Sequence, residues 1–66
     1  MDDPILQFFA YDHLQDHLKE VSKPFGVLAE QLIATLPRNP ERLMALRKLL
    51  EAKDAAVRAR LYQEGT

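Results

Sequence analysis

Residues 14–36 read Leu14-Gln15-Asp16-His17-Leu18-Lys19-Glu20-Val21-Ser22-Lys23-Pro24-Phe25-Gly26-Val27-Leu28-Ala29-Glu30-Gln31-Leu32-Ile33-Ala34-Thr35-Leu36, and their reading decides the fold. Ser22-Lys23-Pro24 has the composition of a break between two short helices. The apolar spacing says otherwise. Leu14, Leu18, Val21, Phe25, Leu28, Leu32 and Thr35 or Leu36 follow one another in steps of three and four, with no slip at Pro24. Two independent helices would have no reason to keep one phase. The spacing predicts a single long helix, about residues 14 to 36, kinked or re-started at Pro24. Ser22 would cap the downstream half. Gly26 would let a second backbone or a ligand come close, or serve only as slack.

Upstream, Asp3-Pro4 reads as a helix start, with Asp3 capping and Pro4 where no N–H is needed. Ile5, Leu6, Phe8 and Phe9 follow at helical spacing, and this short helix should fade near Tyr11 or Asp12. Downstream, Leu36-Pro37-Arg38-Asn39-Pro40 is a tight connection. Pro37 disfavours helix at Leu36, and Asn39 caps a new helix with Pro40 in its first position. Leu43, Leu46, Leu50, Val57 and Leu61 share one face of that helix; Ala45, Leu49, Ala52 and Ala56 widen the stripe. Asp54 and Arg58, at i and i+4, would support it. The expected fold is all-α. One helical-hairpin domain covers residues 1–66, with a short N-terminal helix and two long antiparallel helices. The wide stripe on the last helix calls for a second subunit.

Size points the same way. Ordering 66 residues costs on the order of 100 kcal/mol, and so short a chain builds only a marginal core. There is no cysteine, so disulfides and thiolate zinc sites are excluded and association is the remaining route to stability. A 47% hydrophobic, 29% charged composition is globular rather than disordered. A net charge of −1 argues against a nucleic-acid coat. No apolar run reaches the roughly 18 residues of a membrane span, and no basic segment precedes an apolar one as in a signal peptide. A soluble, cytoplasmic homo-oligomer is expected.

No catalytic set stands out. Ser22 is the single serine, and no Gly-rich phosphate loop occurs. His13 and His17 stand at i and i+4 beside Asp12 and Asp16, too few ligands for a closed metal site; a solvated polar face is the simpler account. Phe8, Phe9 and Tyr11 lie close together upstream of Lys23. Aromatic faces stack on nucleobases, and lysine offers a point charge to phosphate. The same rings could instead pin the short helix to the hairpin. Tyr11 also needs a polar partner for its hydroxyl. Charge is segregated too. Residues 1–20 hold five acids against Lys19, a net of −4; residues 37–61 hold seven bases against three acids, a net of +4. This is either ordinary helix-surface charge or a means of pairing subunits and gathering anions about a symmetry axis.

Four blocks of the chain resemble those of a known family. They are Phe8-Phe9-Ala10-Tyr11-Asp12-His13-Leu14, Ser22-Lys23-Pro24-Phe25, Leu36-Pro37-Arg38-Asn39-Pro40-Glu41-Arg42, and the ungapped run Ala45-Leu46-Arg47-Lys48-Leu49-Leu50-Glu51-Ala52-Lys53-Asp54-Ala55-Ala56-Val57-Arg58-Ala59. Together they resemble the phage anti-CBASS cyclic-oligonucleotide sponges, the family numbered two. The similarity covers about residues 3 to 60. It implies a hexamer of helical hairpins with no catalysis and no cofactor. It also implies sequestration of cyclic di- and trinucleotide messengers, of the 3',3'-cGAMP type, in the cytoplasm of the infected bacterium. The CBASS effector is then never activated. The family's inter-subunit dinucleotide pockets use aromatic stacking and a lysine on phosphate, roles that would fall to Phe8, Tyr11 and Lys23. Its arginine-lined three-fold pockets for cyclic trinucleotides would draw on Arg58 or Arg60.

Three other readings stand beside this one. A structural or adaptor oligomer would use the aromatic cluster only as core. A nucleic-acid binder would use Arg38, Arg42, Arg47 and Lys48, against the net charge of −1. An enzyme that degrades the messenger fits least, for want of a catalytic set.

Overall fold

Pro4 and Pro40 each stand at the first residue of a helix and Pro37 just beyond the end of one, whereas Pro24 interrupts nothing. The computed structural model describes residues 4–62. It comprises a 3-10 helix, Pro4–Phe9, and two α-helices, α1 (Asp16–Thr35) and α2 (Pro40–Leu61). The expected cap Asp3 lies outside the described residues.

The N-terminal helix is 3-10 rather than α and runs for six residues, longer than this geometry usually sustains. It ends at Phe9, earlier than expected, and a turn closed by the Leu14 N–H on the Tyr11 carbonyl (3.1 Å) leads toward α1. Helix α1 begins two residues later than the apolar phase suggests, because Gln15 is still extended there. Gln15 makes no side-chain cap; its carbonyl accepts from the N–H groups of Leu18 (3.0 Å) and Lys19 (2.8 Å).

Pro24 sits inside an unbroken helix. The expected re-start is therefore absent, and Ser22 caps nothing. Ser22 is wholly buried in the middle of α1, and its hydroxyl has no hydrogen-bond partner. The proline withholds one N–H from the ladder, a cost that packing against α2 must offset. At the far end Leu36 turns extended ahead of Pro37, as expected. Asn39 caps α2 through its side chain, which accepts from the Arg42 N–H at 2.9 Å.

The two α-helices lie antiparallel. Arg42, early in α2, reaches the Leu36 carbonyl (3.1 Å) and the Ile33 carbonyl (3.4 Å) near the end of α1. Arg60, late in α2, reaches the His17 carbonyl (3.2 Å) and Glu20 (3.4 Å) near its start. The contact stripe of α1 is small: Ser22, Gly26 and Ala29 are buried, flanked by half-buried Phe25, Leu32 and Ile33. Small residues let neighbours approach closely: Leu46, fully buried on α2, clusters with Ala29, while the segment from Phe9 to Tyr11 covers Gly26. Phe9, Ala29 and Leu46 form the core, with Ile5, Leu6, Leu49 and Leu50 packed around it.

Several apolar residues assigned to the inner faces point outward. Leu28, Leu43 and Leu61 are 42%, 39% and 53% exposed, and Ala52 is exposed. The inner stripe of α2 is rotated from the expected one and includes polar residues. Arg42 is buried and Lys53 half-buried. Asp54 faces Lys53 at 3.7 Å rather than the expected Arg58. Two helices and one 3-10 segment cannot enclose every apolar side chain that the chain carries. Among the described residues no helix is long and apolar enough to cross a membrane.

Candidate functional site

The segment after the 3-10 helix crosses α1 at Gly26. A Cβ placed on Gly26 would stand 3.0 Å from the Phe9 carbonyl oxygen and 3.0 Å from Cδ1 and Cε1 of Tyr11. A methyl group there would press on both that carbonyl and that ring, which glycine lets approach together. Here the close approach expected at Gly26 is realised, and the backbone that approaches is the chain's own.

Tyr11 is half-buried against this seat. It lines a cavity of about 270 Å³ together with Leu6, Phe9, Asp12, Gly26 and Glu30. Lys23, Gly26 and Glu30 stand at i, i+3 and i+7 of α1, along one stripe roughly 10 Å long. Lys23 is exposed on that stripe, one turn before the ring, and Glu30 follows one turn after it. The chain therefore sets a cation, an aromatic ring and a carboxylate in a row.

Phe8 belongs elsewhere. It is 56% exposed. It lines a groove of about 720 Å³ between the 3-10 helix and the start of α2, with Ile5, Arg38, Leu43, Arg47 and Leu50. It also borders a cavity of about 420 Å³ that holds His13, Ser22, Lys53, Asp54 and Arg58. Within one chain Phe8 and Tyr11 thus line different cavities, and Lys23 lines none of these three.

The two arginines of the last turn separate as well. Arg58 borders the cavity beneath Phe8, whereas Arg60 is engaged with His17 and Glu20 across the hairpin. His13 lines that same cavity, while the peptide carbonyl of His17 takes the Arg60 bond; among the described residues no group of three His, Asp or Glu gathers as a metal site.

Two contributors escaped sequence reasoning. Glu30 is an exposed acid in a helix full of polar residues; only its spacing from Lys23 and Gly26 could have marked it. Lys53 reads as one of six bases on α2, yet its ammonium donates to the Phe8 carbonyl at 2.6 Å and holds down the end of the 3-10 helix.

The fold thus defines a two-helix hairpin braced by an N-terminal 3-10 segment, with an aromatic seat on α1. Comparison of the chain with protein-family models, with curated proteins and with solved structures gave no match.

Proposed function

We propose that this protein is a non-enzymatic sponge for cyclic nucleotide messengers, in line with the anti-CBASS family its sequence resembles. One observation carries the reading within the structure: the Tyr11 ring is seated on Gly26, with Lys23 one turn earlier on the same stripe. A ring held in place can stack on a base at low entropic cost, worth about 1–3 kcal/mol per base. An ammonium beside it can take a phosphate. Phe8 lines other cavities, so it would join Tyr11 on one ligand only across two copies of the chain. Association has independent support, since Val27, Leu28, Leu36, Leu43, Met44 and Leu61 remain at least 39% exposed. Covering these side chains in an assembly would remove apolar surface from water. In this reading cyclic dinucleotides, and cyclic trinucleotides through Arg58 or Arg60, are withheld from CBASS effectors in the infected cell.

The second reading is a structural or adaptor oligomer. It is favoured by the Lys53 bond that fastens the 3-10 helix, since that contact makes the aromatic cluster a brace. The test is to incubate the protein with a panel of cyclic di- and trinucleotides, measure free nucleotide, then denature and measure again by chromatography. Depletion followed by intact recovery supports the sponge. Recovery of linear product would make the protein an enzyme, and no depletion would leave the adaptor.

A further inference from the structure

Ser22 is wholly buried in the middle of α1, and its hydroxyl has no hydrogen-bond partner. A serine inside a helix usually bonds the carbonyl four residues earlier. This one does not, and leaving it unpaired costs stability. Ser22 also lines the cavity of about 420 Å³ between the end of the 3-10 helix, α1 and α2. The unpaired hydroxyl thus belongs to the wall of an open space.

The other polar groups of that cavity are mostly donors. His13 and Arg58 are exposed and mark its mouth, while buried Ser22 marks its floor. Arg58 enters no ion pair among the described residues, unlike Arg60, which is engaged with His17 and Glu20. The one carboxylate, Asp54, faces the Lys53 ammonium at 3.7 Å, and that ammonium donates to the Phe8 carbonyl. With Lys53 and Asp54 offsetting each other, Arg58 leaves the cavity net positive. A guanidinium, an imidazole N–H and a hydroxyl converge in type on an oxyanion, and phosphate is the one arginine recognises best. The rest of the wall is apolar, with Leu14 and Val57 beside the Phe8 ring. At about 420 Å³ the space lies within the range of small-molecule pockets and exceeds what a bare phosphate fills.

We propose that this cavity binds an organic phosphate, with the phosphate on Arg58, His13 and the Ser22 hydroxyl and the carbon-bearing part against Leu14 and Val57. The site is complete within one copy of the chain and separate from the Tyr11 and Lys23 stripe. It therefore stands whether or not the protein is a sponge.

The experiment is calorimetric titration in phosphate-free buffer with two probes, phenyl phosphate and inorganic phosphate. The wild type should bind phenyl phosphate about tenfold or more tighter than inorganic phosphate, because the apolar wall adds burial. Ser22→Ala should weaken phenyl phosphate about tenfold, the loss of one bond to a charged group, and Arg58→Gln at least as much. Without ligand Ser22→Ala should melt no lower than the wild type, so unfolding cannot account for its loss of binding. Lys48→Gln removes an exposed charge outside the cavity and should change the affinity less than about twofold. Undiminished binding by Ser22→Ala or Arg58→Gln would overturn the site, as would failure of the wild type to bind either probe. Inorganic phosphate bound as tightly as phenyl phosphate would overturn the organic ligand in favour of the free ion.

Discussion

The ammonium of Lys53 donates to the carbonyl of Phe8 at 2.6 Å, across 45 residues of sequence. Its side chain is only 13% exposed and also faces Asp54 at 3.7 Å, so the tether is carried on a largely covered stem. It satisfies a carbonyl near the end of the 3-10 helix and ties that helix to α2. Lys53→Met keeps the aliphatic stem and removes the donor. We expect a loss of about 1.5 kcal/mol, the lower end of the usual worth of a bond from a charged donor. Faster hydrogen exchange at the Ala10 amide, which bonds to the Gln7 carbonyl, should accompany it. An unchanged melt and unchanged exchange would show the tether to be idle.

Gly26→Ala sets two effects against each other. Alanine is the better helix former by about 1 kcal/mol. Its methyl, however, would meet both the Phe9 carbonyl and the Tyr11 ring at 3.0 Å, and a backbone oxygen cannot swing aside as a side chain does. Overpacking of this kind costs about 1–3 kcal/mol. Net destabilisation of roughly 1 kcal/mol is expected, with a changed tyrosine signal in near-ultraviolet circular dichroism. A variant more stable than the wild type would mean that Tyr11 does not sit on Gly26.

Ser22→Ala should do the opposite. The Ser22 hydroxyl is buried with no partner, which costs about 1–3 kcal/mol of desolvation. Alanine removes that cost and favours the helix. A gain of about 1 kcal/mol should raise the melting temperature by roughly 4–8 °C. A lower melting temperature would show that the hydroxyl is hydrogen-bonded in solution.

The turn between the helices rests on two side chains. Asn39 caps α2, and Asn39→Ala should cost about 1 kcal/mol. Arg42 covers the last carbonyls of α1 from a buried position. Arg42→Lys should also destabilise, because the shorter lysine stem stops short of the two carbonyls that the one guanidinium nitrogen Nη1 reaches. Chemical denaturation measures both, and a lysine variant as stable as the wild type would refute the role given to the guanidinium.

Ligand binding separates the two readings of the aromatic cluster. Tyr11→Ala and Lys23→Ala should each abolish cyclic dinucleotide binding while the mass of the assembly, read by light scattering, stays the same. If Tyr11→Ala breaks the assembly instead, the ring is a packing element and the adaptor reading gains.

What the sequence determined by itself was local. Each element's start or stop is written in residues that act within a few positions of themselves. Asn39 and Pro40 open α2, and Pro37 ends α1 at Leu36. The unbroken apolar phase across Pro24 revealed one long helix, because periodicity sums over many residues and outweighs one missing N–H. The room at Gly26 was legible for the same reason, since glycine's lack of a Cβ is a local property.

Tertiary structure alone decided which stripe of each helix faces inward. Periodicity marks a helix as amphipathic but leaves its rotation loose when apolar residues occupy more than one stripe, as they do on α2. Packing chose the small stripe Ser22, Gly26 and Ala29, with Leu46 of α2 clustered with Ala29 and the Phe9–Tyr11 segment against Gly26, because small residues admit the closest neighbours. Leu28, Leu43 and Leu61 were thereby left outside, while Ser22, Arg42 and Lys53 were carried inward. The same rotation put Phe8 and Tyr11 on different cavities and brought Gly26 and Glu30 to the cavity of the Tyr11 ring. Neighbours in sequence were separated, and residues far apart in sequence became one site, because helix rotation is settled by contacts that no single segment contains.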